Sequence, residues 1–372
     1  MSPMPFDDRT AVPLPPRVGV AADRDARAMA GWLLVVCAMV WVMVALGGAT
    51  RLTGSGLSIM EWAPLSGTLP PLSEAEWRRL YDLYRTIPQY ALVNQGFGLD
   101  GFKEIFWLEW THRLWGRLIG LAYALPLAWF WLRGRIPAGL KPRLVLLLAL
   151  GGLQGVVGWV MVASGFEQPD RTAVSPYRLV VHLGLALVLY AALLWTALTL
   201  LRPVAPDSAT PAARALRRWV HAAAGLAVLA MLAGGFVAGI RAGLDYNTFP
   251  LMEGRLVPEG YWRLEPLWTN LTANIPAVQF NHRLLATLTA LAAGGAAVVA
   301  RRRLPPGALP RRTAFGLAGA VALQYALGVA TLVQVVPVWL GTLHQAVAVL
   351  VLTAALVALH TLRRTRVAGG GG

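Results

Sequence analysis

The sequence predicts an all-α polytopic membrane protein, with eight transmembrane helices forming two pseudo-symmetric four-helix bundles. Composition is the first support: 56% of the 372 residues are hydrophobic and 14% charged, against about a quarter charged in soluble chains. Mean hydropathy is +0.55. The second is a set of apolar runs, several longer than the roughly 18 residues that mark a spanning helix. The third is an internal repeat that divides these runs into two sets of four.

In chain order, residues 1–27 are rich in proline and mixed charge, without an apolar segment, and read as a disordered cytoplasmic tail rather than a signal peptide. Spans are expected at 28–49, 106–132, 143–163, 176–200, 215–240, 275–300, 312–335 and 338–362. The first four form an N-terminal bundle (28–200), with the outer loop 50–105 inserted. Residues 201–214 are a cytoplasmic linker, 215–362 the second bundle and 363–372 a tail. Arginines crowd three connections and this tail: Arg133 and Arg135; Arg202, Arg214, Arg217 and Arg218; Arg301, Arg302 and Arg303; then Arg363, Arg364 and Arg366. The loop 50–105 instead has five basic and six acidic residues, and 241–274 has three and four. The positive-inside rule then puts both termini in the cytoplasm and the two long loops outside an inner membrane. The net charge of +15 is therefore a topology signal, not a nucleic-acid footprint.

Loop 50–105 is too long to be structureless. Ser73 ahead of Glu74 and Glu76 predicts a capped short helix. The glycines at Gly47, Gly48, Gly54 and Gly56 read as a tight helix exit. Cys37 is the single cysteine, so an internal disulfide or a thiolate-based zinc site is excluded.

The repeat is legible in several places. Gly47–Gly48 with Arg51 and Gly56 resembles Gly234–Gly235 with Arg241 and Gly243. Gln154 with Gly158 resembles Gln324 with Gly328. His112 matches His282, and His182 matches His344. Two halves of four spans each point the same way, related by an axis along the membrane normal.

Of six histidines, His221 and His360 lie near cytoplasmic ends and read as interfacial. The other four each sit about two turns below the outer end of a span, roughly 9–10 Å deep. One pair per bundle at equal depth suggests the axial ligands of a haem iron, against a plain reading of four buried histidines bonded to neighbouring helices. Gly116, Ala186, Ala286 and Ala348, four residues on, would leave room for a porphyrin. Arg113 and Arg283 would meet haem propionates or snorkel to headgroups. Glu109, three residues before His112, has its counterpart in Gln279, so only one half keeps an acid. An ionisable side chain at this depth is a functional candidate; its plain alternative is an ion pair with Arg113.

The run Glu109 to Arg113, the partners His182, His282 and His344, and the loop from Gly47 to Ser58 together resemble the haem A synthase family over about residues 30–362. The resemblance implies oxidation of the C8 methyl of haem O to the formyl of haem A through a hydroxymethyl intermediate. It implies a resident haem b on His282 and His344, the substrate haem on His112 and His182, and a catalytic acid at Glu109. Haem O synthase is the implied supplier. The electron donor is unspecified and homo-oligomerisation open. The cysteine pair of some bacterial members is missing, which resembles the proteobacterial and mitochondrial branch. A b-type cytochrome exchanging electrons with quinone would also place bis-histidine haems, yet would not need the Glu109/Gln279 asymmetry. A transporter of parallel repeats would show broken midplane helices.

Overall fold

The computed structural model describes residues 18–167, 172–202 and 210–363. The tail expected at 1–27 falls outside these up to residue 17, as do the last nine residues and half of the linker. The helices are α1 (Val18–Leu52), α2 (Glu74–Tyr84), α3 (Pro88–Leu92), α4 (Leu99–Leu132), α5 (Lys141–Ala163), α6 (Pro176–Leu201), α7 (Pro211–Gly239), α8 (Asn270–Ala273), α9 (Ile275–Arg303), α10 (Leu309–Val333) and α11 (Val338–Thr361). Among the described residues there is no strand, only an isolated bridge between Met252 and Arg255.

Seven helices (α1, α5, α6, α7, α9, α10 and α11) are long and apolar enough to cross a membrane, and the protein is a multi-pass membrane protein. The remaining expected span is α4, a continuous helix of 34 residues. Its apolar density is thinned by Glu109, His112, Arg113, Arg117, Pro126 and five tryptophans. Trp107 and Trp110 stand near one end and Trp129 and Trp131 at the other, as interfacial belts do.

Two boundaries differ from expectation. α1 begins ten residues early, at Val18. It also runs through Gly47–Gly48 to Leu52, so these glycines are helix interior and the exit comes at Gly54, whose φ of 71° is left-handed. Their use is close approach by other helices, described below. Ser73 caps α2 as expected, its Oγ accepting from the Glu76 N–H at 3.2 Å.

α1 packs on α4 and α6, and α5 bridges α4 to α6; α7 packs on α9 and α11, and α10 bridges α9 to α11. The two sets meet where α1 lies on α11 and α6 on α7. The first core is bulky, with Leu33, Val36, Tyr123, Phe130, Leu144 and Leu193. The second is built on alanine, with Ala223, Ala227, Ala293, Ala296, Ala314 and Ala355, which lets its helices approach closely. Side-chain donors that lipid cannot satisfy find main-chain carbonyls: Trp32 Nε1 donates to Ala122 O at 2.8 Å, Trp115 Nε1 to Met39 O at 2.8 Å, and Tyr123 Oη to Leu144 O at 2.8 Å.

The outer loop carries its own aromatic core of Tyr84, Phe102, Phe106 and Leu57, with Trp77 packed against it. On its rim Arg79 pairs with Glu61 and Glu76, both at 2.8 Å. The hydrogen bonds of Arg79 hold both carboxyls below the usual carboxylate range.

His360 departs from the interfacial expectation. It is 1% exposed. Its Nδ1 lies 2.9 Å from Arg363 Nη1 and its Nε2 3.3 Å from Thr199 Oγ1, with Trp195 edge-on. Arg363 also donates to Arg202 O, fastening the end of α11 to α6.

Candidate functional site

The four histidines of the repeat share one construction. Each rests against a glycine of a neighbouring helix, where an added Cβ would crowd the ring. A Cβ built on Gly158 (α5) would stand 2.8 Å from Cε1 of His182 (α6). On Gly234 (α7) it would stand 3.0 Å from Cε1 of His282 (α9), and on Gly328 (α10) 2.9 Å from Cε1 of His344 (α11). Gly47 (α1) faces Nε2 of His112 (α4) at 3.3 Å. These glycines let the facing helices approach the imidazole rings closely. The repeat had marked these positions without indicating their use.

In the second half the rings of His282 and His344 stand 6.5 Å apart, centre to centre, and perpendicular. Two metal–nitrogen bonds of about 2 Å, plus roughly 1 Å within each ring, span that separation. His282 Nδ1 lies 2.9 Å from Ala230 O. Donating there fixes its proton and leaves Nε2 bare for a metal, the usual support of a ligating histidine. Gln324 Nε2 lies 3.4 Å from His344 Nε2, and Gln154 Nε2 lies 3.4 Å from His182 Nε2, so this polar neighbour also repeats. Among the described residues the buried nitrogens His182 Nδ1, His344 Nδ1 and Arg283 Nε have no hydrogen-bond partner. Among the described residues no three His, Cys, Asp or Glu side chains converge as a metal site. Paired imidazoles on opposite walls, a cradle bare of side chains and an unpaired guanidinium N–H fit a porphyrin iron.

Glu109 lies at the outer end of this arrangement, 2% exposed. Its Oε2 accepts from Ser58 Oγ at 2.8 Å and from the Ile59 N–H at 2.9 Å. Its Oε1 accepts from Arg113 Nε at 3.0 Å and Nη2 at 2.6 Å. Four donors suit a carboxylate, which is acceptor-only when ionised. Arg113 continues to Glu61 O at 2.7 Å and Ile59 O at 2.5 Å and stacks on Trp159. One helical turn deeper, Arg117 donates to Pro64 O and Ala63 O, both at 2.9 Å. The start of the outer loop is thereby drawn down along α4, its carbonyls satisfied by guanidinium groups where lipid offers no partner.

The second half repeats this with neutral parts. Gln279 Nε2 donates to Ala242 O at 2.7 Å and to Asp245 O at 2.5 Å. Arg283 donates to Gln279 Oε1 at 2.7 Å, Thr248 O at 2.9 Å and Tyr246 O at 2.5 Å. An amide suits this loop because it must donate to two carbonyls, which a carboxylate cannot do. Glu109 instead faces a hydroxyl and an N–H. Both arginines therefore brace loops first, a role the sequence alone did not suggest. Ser58 and Arg117 were missed as well; the repeat has no matching signal for Arg117, since Thr287 occupies that position.

The profile of the COX15-CtaA family, cytochrome oxidase assembly protein, matches residues 30–356. The chain belongs to that family. It is 62% identical over 340 residues to the heme A synthase of Granulibacter bethesdensis, covering 91% of this chain and 88% of that protein. The heme A synthase of Rhodospirillum centenum is 50% identical over 357 residues, 95% of this chain and 94% of its own. That of Parvibaculum lavamentivorans is 47% identical over 351 residues, 94% and 99%. The family match covers both glycine-cradled histidine pairs and the Glu109 cluster.

Proposed function

We propose that this protein is a haem A synthase of a bacterial inner membrane, oxidising the C8 methyl of haem O to the formyl of haem A through a hydroxymethyl intermediate. The observation that carries the reading is the pair of histidine sites, alike in construction, of which only the first has a buried acid. It is supported by relatives named for this activity over nearly their whole length. In this reading eight spans, α4 included, form two four-helix bundles, with both termini cytoplasmic and the long loops outside.

His282 and His344 hold haem b, and the unpaired Arg283 Nε suits a propionate oxygen. When bound, haem b supplies one-electron transfer. His112 and His182 hold the iron of the substrate haem O, and Arg113 lies beside it with its loop carbonyls. Haem O synthase delivers the substrate, and an electron donor reaches the second half.

Glu109 contributes as a fixed negative charge. All four of its hydrogen-bond partners are donors, which favours electrostatic stabilisation of positive charge developing at the oxidised carbon over proton shuttling. Trp159 of α5, stacked with Trp62 and beneath the Arg113 guanidinium, flanks the Glu109 cluster.

The test is haem A formation in a host that makes haem O but lacks its own synthase, with Glu109→Gln beside wild type. Haem b per polypeptide should stay near wild type in the variant while haem A falls strongly, about 10²–10³-fold if the charge acts in the chemical step. Near-normal haem A with Gln would make Glu109 a loop brace alone. A wild-type pigment extract holding haem b only would point to an electron-relaying cytochrome.

A further inference from the structure

The two histidine pairs are joined crosswise through the Gly-Gly pairs of α1 and α7. In each pair the first glycine receives a histidine of its own half, Gly47 receiving His112 and Gly234 receiving His282. The second glycine receives the other half. A Cβ on Gly48 would stand 2.6 Å from Oε1 of Gln345, the residue after His344. A Cβ on Gly235 would stand 3.2 Å from Cδ2 of Leu183, the residue after His182. One peptide unit on each side thus separates a ligand of one half from a ligand of the other, twice.

The two junctions differ in chemistry. At α6–α7, Leu183 and Val180 make only apolar contact with Gly235. At α1–α11, Gln345 Nε2 donates to Val44 O at 2.9 Å, reaching a carbonyl uncovered by the bare Gly48 four residues on. A second bond between these helices, Trp41 Nε1 to Ala346 O at 2.9 Å, starts from the turn before Val44 and does not reach the Gly47–Gly48 turn that meets His112. Hydrogen bonds between membrane helices fix rotation and register where apolar packing leaves them softer. At this junction the rotation of α11, which aims His344, is tied to the turn of α1 that meets His112.

We propose that Gln345 is a positioning residue that couples the two histidine sites: occupancy of the first half displaces the turn of α1 at Gly47–Gly48, and Gln345 transmits the displacement to His344. This rests on the haem reading above. By linkage the coupling is reciprocal, so the redox state of the second site alters the affinity of the first by the same factor.

The test uses the full-length protein in nanodiscs with its resident haem. Co(III) protoporphyrin, which takes two imidazoles and is diamagnetic, is titrated into the first half. The readout is the ferric-to-ferrous ratio of the resident haem at fixed ambient potential. Wild type should shift at least about fivefold, the lower end of ordinary coupling between sites. Gln345→Leu, which copies Leu183 of the other junction, should keep its haem and shift less than about twofold. Trp41→Phe loses a neighbouring helix–helix bond without touching Gln345 and should shift as wild type does. An undiminished shift in Gln345→Leu, no shift in wild type, or equal loss in Trp41→Phe overturns the proposal. So does loss of resident haem in both Gln345→Leu and Gln345→Met, which would make the residue structural. Wild type purified without haem would instead sink the haem reading itself.

Discussion

Gly328→Ala separates ligand geometry from fold stability. Its Cβ would stand 2.9 Å from His344 Cε1, whereas real Cβ contacts begin in earnest at 3.4 Å, so the ring must retreat by about half an ångström. Ligand distances in a metal site hold to roughly ±0.2 Å. The ring faces His282 at 6.5 Å, which leaves it no free direction toward the iron. Changes in the support of a ligand typically cost about 10–100-fold in affinity, or about 1.4–2.8 kcal/mol. The helix itself gains, because alanine is favoured over glycine by about 1 kcal/mol in a helix interior, so loss of haem cannot be blamed on loss of fold. The assay is haem b per polypeptide and the low-spin fraction in purified protein, with the rate of haem loss to an apoprotein acceptor. Gly316→Ala, on the same helix with open space around its Cβ, is the control. A full complement of low-spin haem in Gly328→Ala, lost no faster than in the control, would refute the cradle argument.

Other outcomes follow from the same geometry. His282→Ala or His344→Ala should strip resident haem and lower the unfolding temperature, because a cofactor bound only by the folded state stabilises it; an unchanged low-spin spectrum in both would remove them as ligands. Arg117→Met deletes two charge-assisted bonds, each worth about 1.5–3 kcal/mol net when buried. Limited proteolysis within residues 59–72 should accelerate at least about tenfold while resident haem stays, and unchanged cleavage would detach Arg117 from the loop. The rim cluster sets a pH limit. Arg79 depresses the folded-state pKa of Glu61 and Glu76, so their stabilisation is present above the ordinary Glu value of about 4.3 and lost as pH falls through the lower folded value. Trp77 fluorescence should be flat from about pH 8 to 5 and change below about 4; a transition near pH 6 would contradict this assignment.

Much of the architecture was legible because lipid imposes it. Apolar run length located six of the seven apolar helices within a few residues and the seventh, α1, apart from its early start, and arginine placement marked the connections. The histidine pairs were legible because polar groups at that depth are rare enough for a repeat to stand out. What escaped were contacts between residues far apart in sequence. The loop carbonyls at Ile59, Glu61, Ala63 and Pro64 carry no side-chain signal, so the bracing roles of Arg113 and Arg117 could not be read. The glycine cradles were visible only as repeat matches, since a glycine's use depends on what approaches it. His360 was misplaced because its burial depends on Thr199 and Trp195 of α6. The Glu109/Gln279 difference was legible as chemistry, but its matched loop partners were not: donors at Ser58 and Ile59, acceptors at Ala242 and Asp245.

The way α4 is held also bears on how the chain enters the bilayer. Among the described residues it is the one expected span outside the helices long and apolar enough to cross a membrane, and its Glu109, Arg113 and Arg117 are hydrogen-bonded by a loop synthesised just before it. An emerging α4 therefore becomes compatible with lipid only as the segment from Ser58 to Pro64 folds back along it. Loop and helix should then enter the bilayer as a single unit, a span with the preceding loop docked along it. Biogenesis of the first half should then be vulnerable to lesions in an outer loop that leave every transmembrane segment intact.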